Sequence, residues 1–148
     1  SRSSPRTMSD SLFDRYREAL GAGHVAVLRG QLDDAAAAYR EAAALAGDRA
    51  VPRTALGSVE LRLGQPEQAL AAFDEALDLA PADDAGLLGR AQALVVLQRP
   101  DDAAATYDLL ADARRAAGKL ADAGDALRRA LEIRPTGLRS VCASAVSH

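Results

Sequence analysis

Two histidines, one cysteine and three pairs of adjacent aspartates are the groups in this 148-residue chain whose types could do chemistry. A nucleophile needs a base within reach, and a metal or acid–base site needs several convergent side chains. His24 has no second histidine near it in the sequence, and His148 is the last residue. Cys142 has no histidine or basic residue next to it that would favour a thiolate. Asp33-Asp34, Asp83-Asp84 and Asp101-Asp102 have the look of acid–base pairs, yet each precedes or opens an expected helix. There, capping and dipole effects favour Asp by about 1 kcal/mol or less. Gly21-Ala22-Gly23 follows no strand and lacks the third glycine of a dinucleotide fingerprint. No catalytic residue, metal ligand or cofactor site emerges, and the expectation is a chain that is not an enzyme.

Composition narrows the class further. A formal net charge of −3, with Arg interspersed among Asp and Glu, offers no basic footprint for a phosphate backbone. That argues against nucleic acid. No stretch approaches the roughly 20 apolar residues that span a bilayer. The lone cysteine excludes an intrachain disulfide and suits a reducing cytoplasm. Lys119 is the only lysine, and the abundance of Ala, Arg, Gly and Asp suits a GC-rich bacterial source. Residue 1 is Ser and the only methionine is Met8, so residues 1–10 read as a flexible segment, with Ser1 to Thr7 a tag remnant or the cut edge of a longer protein.

The elements that would position any site are helices. Apolar residues make up 49% of the chain, but they are mostly Ala and Leu, with Phe13 and Phe73, three tyrosines and no tryptophan. Val and Ile nowhere alternate over a strand length, so the chain reads as all-α. Ser11 to Asp14 has the spacing of a capping box, and Phe13, Tyr16, Leu20, His24 and Val27 follow at helical spacing up to Leu28. The glycines at 21 and 23 either bend this helix or admit a close neighbour. Gly30 closes it, and a second helix carries Ala35, Tyr39 and Ala42 to about Leu45.

A shift of 34 residues sends Gly30 to Gly64, Ala35 to Ala69, Tyr39 to Phe73 and Ala42 to Ala76. A further 34 sends Ala69 to Ala103, Phe73 to Tyr107 and Pro66 to Pro100, with Gln98 in place of the turn glycine. The third copy has its first helix at about Asp84 to Leu97. Then the register breaks, because Gly118 follows Gln98 by only 20 residues. Either one helix, Asp101 to Ala117, closes the third pair and opens a fourth with Asp122 to Ile133, or the strict period persists and Asp122 to Ile133 is a first helix. The tail, residues 136–148, has Leu138, Val141, Cys142, Ala145 and Val146 on one stripe and reads as a tail or capping helix.

The best-formed unit is Thr54 to Pro81, TALGSVELRLGQPEQALAAFDEALDLAP, with Leu56 and Gly57 in a first helix, Gly64 at the turn, and Ala69, Phe73, Ala76 and Pro81 in and after a second. It resembles a tetratricopeptide (TPR) repeat. The resemblance implies an all-α, right-handed TPR-type solenoid of antiparallel helix pairs over residues 11–135, about three repeats plus C-terminal helices. It also implies a protein-protein interaction module, whose concave groove is lined by the first helices of successive repeats and takes a peptide or protein partner.

Carried onto this chain, that groove presents Arg17, Leu20, His24 and Val27, then Thr54, Ser58 and Arg62, then Leu88, Gln92 and Val95. The family's clamp for chaperone carboxylate tails uses Lys, Asn and Arg at places that here hold Leu20, His24, Ala55, Ser58, Ala85 and Gly89, so the clamp is missing. Arg53 and Glu60 stand where the family most often has large aromatic residues. The alternative role is a scaffold that packs against the rest of a larger protein or self-associates as a homo-oligomer.

Overall fold

A computed structural model describes residues 8–135, and these form seven helices in chain order: α1 (Met8–Leu28), α2 (Leu32–Leu45), α3 (Val51–Arg62), α4 (Pro66–Leu79), α5 (Asp84–Val96), α6 (Pro100–Ala116) and α7 (Leu120–Ile133). No strand occurs among the described residues. Each helix packs against the next, and α3 also meets α5, so antiparallel helices are laid down one after another. The fold is an all-α solenoid. The tail expected at 136–148, with Cys142 and His148, lies outside the described residues.

The 34-residue period is visible in the helix starts, since α2, α4 and α6 begin at Leu32, Pro66 and Pro100. It is visible again in the turns that precede them. Gly30, Gly64 and Gln98 adopt φ of 73°, 75° and 59°, and the next amide bonds back to Ala26, Glu60 and Leu94 at 2.8, 2.9 and 2.9 Å. That is the helix stop in which a left-handed residue turns the chain and the following amides satisfy the last carbonyls. Gln98 keeps this geometry at a steric cost of about 1–2 kcal/mol that glycine would not incur.

Gly118 has the same conformation, φ 79°, and the amide of Lys119 bonds to Arg114 O at 2.8 Å. The chain therefore leaves α6 as it leaves α1, α3 and α5. Of the two readings of the register break, the shared helix is the one observed. α6 is the second helix of the pair α5–α6 and the first of the pair α6–α7, and at 17 residues it is longer than the 14 of α2 or α4.

Two local expectations are revised. α1 begins at Met8, three residues before Ser11, so the Ser11–Asp14 spacing lies inside the helix and does not cap it. Of the aspartate pairs only Asp83 is a true cap, its carboxylate accepting from Gly86 N at 2.8 Å. Asp33, Asp34, Asp84, Asp101 and Asp102 sit in first turns, where the helix dipole favours them without a cap bond.

The interior is built from alanines around a few large groups, of which Phe73, Leu94, Leu110, Thr106 and Pro52 are fully buried. Phe73 is placed by glycine. A Cβ built on Gly57 would lie 2.7 Å from the Phe73 ring, and one on Gly89 would lie 2.2 Å from it. The ring thus occupies space that only two bare backbones, one on its own partner helix α3 and one on the next helix α5, leave free. Gly23 and Tyr39 repeat the contact in the first pair, where a Cβ would lie 2.4 Å from the ring. The close neighbour admitted by α1 is therefore at Gly23, whereas Gly21 has nothing within 4 Å.

Gly89→Ala is expected to lower stability by about 1–2 kcal/mol, the overpacking penalty exceeding the gain in helix propensity of about 1 kcal/mol. Gly124→Ala, in α7 where nothing lies within 4 Å, is expected to raise it. Thermal melts of the two variants check the opposite signs.

Candidate functional site

The first helices of the pairs, α1, α3 and α5, carry the ten residues expected to form a groove, and their surroundings differ. Arg17 and His24 on α1, Ser58 and Arg62 on α3, and Gln92 and Val95 on α5 are exposed. Leu20, Val27 and Leu88 are half-buried: Leu20 and Val27 pack on the cluster of Ala26, Tyr39 and Val59, and Leu88 on the cluster of Leu87, Ala91 and Tyr107. Thr54 differs from the expectation of an open groove position. It is buried, and its hydroxyl lies 3.4 Å from Asp83 Oδ2, the carboxylate that caps α5. The 34-residue stagger turns this residue of α3 toward the start of α5.

His24 is exposed, yet its Nδ1 lies 2.6 Å from the Tyr39 hydroxyl, with the rings edge to face at 5.5 Å. A structural partner accounts for it. Burial pushes the Tyr39 phenol above its ordinary range. No group of three or more His, Cys, Asp or Glu that could hold a metal occurs among the described residues.

The charged side chains that do converge act between helices. Arg114 of α6 holds Asp84 of α5 through two bonds, at 2.7 and 3.1 Å, and donates to Asp122 O at the start of α7. Arg90 of α5 bonds Asp74 of α4 at 2.7 Å and Thr106 of α6. Arg129 of α7 lies 5.7 Å over the Tyr107 ring. Arg90 ties the pair α3–α4 to α5, while Arg114 and Arg129 tie α5, α6 and α7 to one another.

Clefts among the described residues lie elsewhere, at the α1–α2 end around Tyr16, beside Glu60 and beside Val25, and none of the ten expected residues lines these. One, between α2 and α4, contains Arg40, Arg53, Glu60 and Glu75. Sequence reading noted Arg53 and Glu60 as departures from an apolar pattern without assigning them a place. The signal was there, because the positions one period earlier and later are Ala19, Ala26, Leu87 and Leu94.

The class is an all-α solenoid of stacked antiparallel helix pairs. Residues 54–114 match the tetratricopeptide repeat family model. The fold matches the TPR2B domain of yeast Sti1 in a structure titled as its pHsp70 complex, with a TM-score of 0.72, 16% identity, and 80% of this chain covering 97% of that one. It matches the Arabidopsis OM64 TPR domain with a TM-score of 0.70 and 22% identity over 82% and 98% of the two chains. It also matches PcrH, solved in complex with the chaperone binding region of PopD, with a TM-score of 0.73 and 20% identity over 82% and 94%. No curated protein sequence matches the chain. The stretch 54–114 belongs to the tetratricopeptide repeat family, and the chain is a TPR-type solenoid.

The Arg114 guanidinium holds the Asp84 carboxyl below the usual carboxylate range. A depressed value contributes stability above the unfolded pKa of about 3.9, and this is lost as pH falls through the folded value. Asp84→Asn is therefore expected to destabilise at neutral pH and to converge on the parent chain as the pH falls below the folded value. Denaturant titrations across that range check it, with an undiminished gap in acid as the opposing result.

Proposed function

We propose that the chain is a protein-protein interaction module that captures a peptide or protein segment across α1, α3 and α5. The observation that carries this reading is the pattern on those three helices: exposed Arg17 and His24 two turns apart, exposed Ser58 and Arg62 one turn apart, and exposed Gln92 beside Val95, with half-buried Leu20, Val27 and Leu88 between or beside them. Such a surface offers apolar contact along its floor and a few donors to fix orientation, which is how a groove takes an extended or helical segment. The solved TPR structures named above, two of them with bound partners in their titles, support the interaction reading for the class.

Specificity in this chain would differ from carboxylate capture. The clamp positions hold Leu20, His24, Ala55, Ser58, Ala85 and Gly89, and Gly89 has no room for a side chain, since its Cβ would strike the Phe73 ring. The partner segment is therefore held by its side chains and backbone. No helix of the described residues is long and apolar enough to cross a membrane. A cytoplasmic bacterial setting, in which residues 11–135 act as the interaction domain, completes the proposal.

A scaffold role is the second reading, favoured by one observation. Leu120, Leu127 and Leu131 of α7 are 69%, 41% and 47% exposed at the end of the stack. Light scattering over a concentration series separates the two, because self-assembly through that face raises the mass with concentration.

For the groove, a partner obtained by pull-down is titrated against Arg62→Ala and Val95→Asp, both at exposed positions where the fold is not engaged. Loss of a charge-assisted hydrogen bond, or burial of a new charge, is expected to weaken binding by about tenfold or more each. Unchanged affinity in both variants would remove the groove assignment.

A further inference from the structure

Within one repeat period the same two places hold Ala19 and Ala26, then Arg53 and Glu60, then Leu87 and Leu94. All four apolar residues are buried. Of the middle pair Glu60 is buried and Arg53 half-buried, with 6% and 14% of their side chains exposed. Taking charge out of water is costly unless each group finds partners, so the two must be accounted for one by one.

Arg53 is satisfied within the fold. Its guanidinium donates to Ala43 O and Ala46 O at the carbonyl end of α2 and to Arg49 O beyond it, at 3.3, 3.1 and 2.9 Å, and its Nε lies 3.4 Å from Glu75 Oε1, which leaves the other Glu75 oxygen to the cleft. Glu60 is not satisfied. One oxygen lies 3.6 Å from Arg40 Nη2, beyond good hydrogen-bond length, and the other, Oε1, is buried without any partner. Burial pushes its carboxyl up, and the Arg40 cation only partly opposes this.

Glu60 lines a cleft of about 450 Å³ between α2 and α4, with Leu56, Ala71 and Ala72 as apolar lining and Gln68 and Glu75 as further acceptors. The geometry points to this cleft as a second binding site, distinct from the proposed groove, for an alkylammonium group such as the end of a partner's lysine side chain. The methylene stem would lie on Ala71, Ala72 and Leu56. An ammonium has three donors, and Glu60, Gln68 and Glu75 each supply an acceptor. Arg40 and Arg53 also line the cleft but already face Glu60 and Glu75, whereas an anion would add a further negative group beside those two carboxylates. A guanidinium asks for both oxygens of one carboxylate, and Arg40 already lies against one of them.

The test is a heteronuclear NMR titration of the whole chain with N-acetyl-lysine methylamide and with its ε-acetylated, uncharged form. Shifts are expected at the amides of Leu56, Glu60, Ala71 and Ala72 with the charged form, at about millimolar concentration, and about tenfold weaker with the acetylated one. Glu60→Gln removes the charge without removing the side chain and is expected to abolish those shifts while the melting temperature holds or rises. Ala71→Leu, at an exposed position on the cleft wall, should block the stem with the same loss. Absence of shifts at the cleft, equal response to both probes, or full binding by Glu60→Gln each overturns the site. None of these outcomes bears on the groove, whose residues lie elsewhere.

Discussion

One contact sets the geometry of this solenoid: the ring of Phe73 held between the backbones of Gly57 and Gly89. Burying an aromatic ring contributes about 1.5–3 kcal/mol, but its structural effect is larger than that figure suggests. The ring projects from α4 and touches a glycine on the helix before it and a glycine on the helix after it. It therefore fixes the separation within one pair and between that pair and the next with a single side chain. An alanine-rich lining, with Ala69, Ala72, Ala76, Ala91 and Ala93 all buried, lets the remaining surfaces close around it. The same device, Tyr39 on Gly23, sets the first pair.

Around these seats the polar contacts act as ties at the edges of the stack. Arg53 closes the end of α2, Asp83 opens α5 and receives Thr54, and Arg114 joins α5, α6 and the first turn of α7. The Arg53 and Thr54 bonds cross from one helix pair to the next, whereas Asp83 caps its own helix and Arg114 joins helices that are already paired. On α1, α3 and α5 the side chains of Arg17, Ser58, Arg62 and Gln92 remain exposed. A linear array of this kind depends on nearest-neighbour contacts, so the ends are its weakest part. The exposed leucines of α7 lie on the last of the described helices.

Much of this was legible in the sequence. The 34-residue echo of glycine, alanine and aromatic residues marked the turns and buried helix faces, because a repeat must present the same small and large groups at the same places to stack. The overlap at α6 stayed open because a helix that serves two pairs has no signature of its own, and only the left-handed turn at Gly118 shows it. Thr54 was placed in the groove by its position on α3, whereas the approach of Asp83 from 29 residues away buries it. The cleft above Glu60 was missed for the same reason: whether a buried carboxylate has a partner depends on α2 and α4, which no local pattern of α3 reports.

Native-state hydrogen exchange across a denaturant series tests the central claim most directly, since it reads the opening free energy of each helix separately. If the Phe73 seat couples the array, amides of α3, α4 and α5 share the highest opening free energy and exchange only with global unfolding, while α7 opens at lower cost. Protection of α7 equal to or greater than that of α4 would contradict it, as would α3–α4 and α5–α6 opening as independent units.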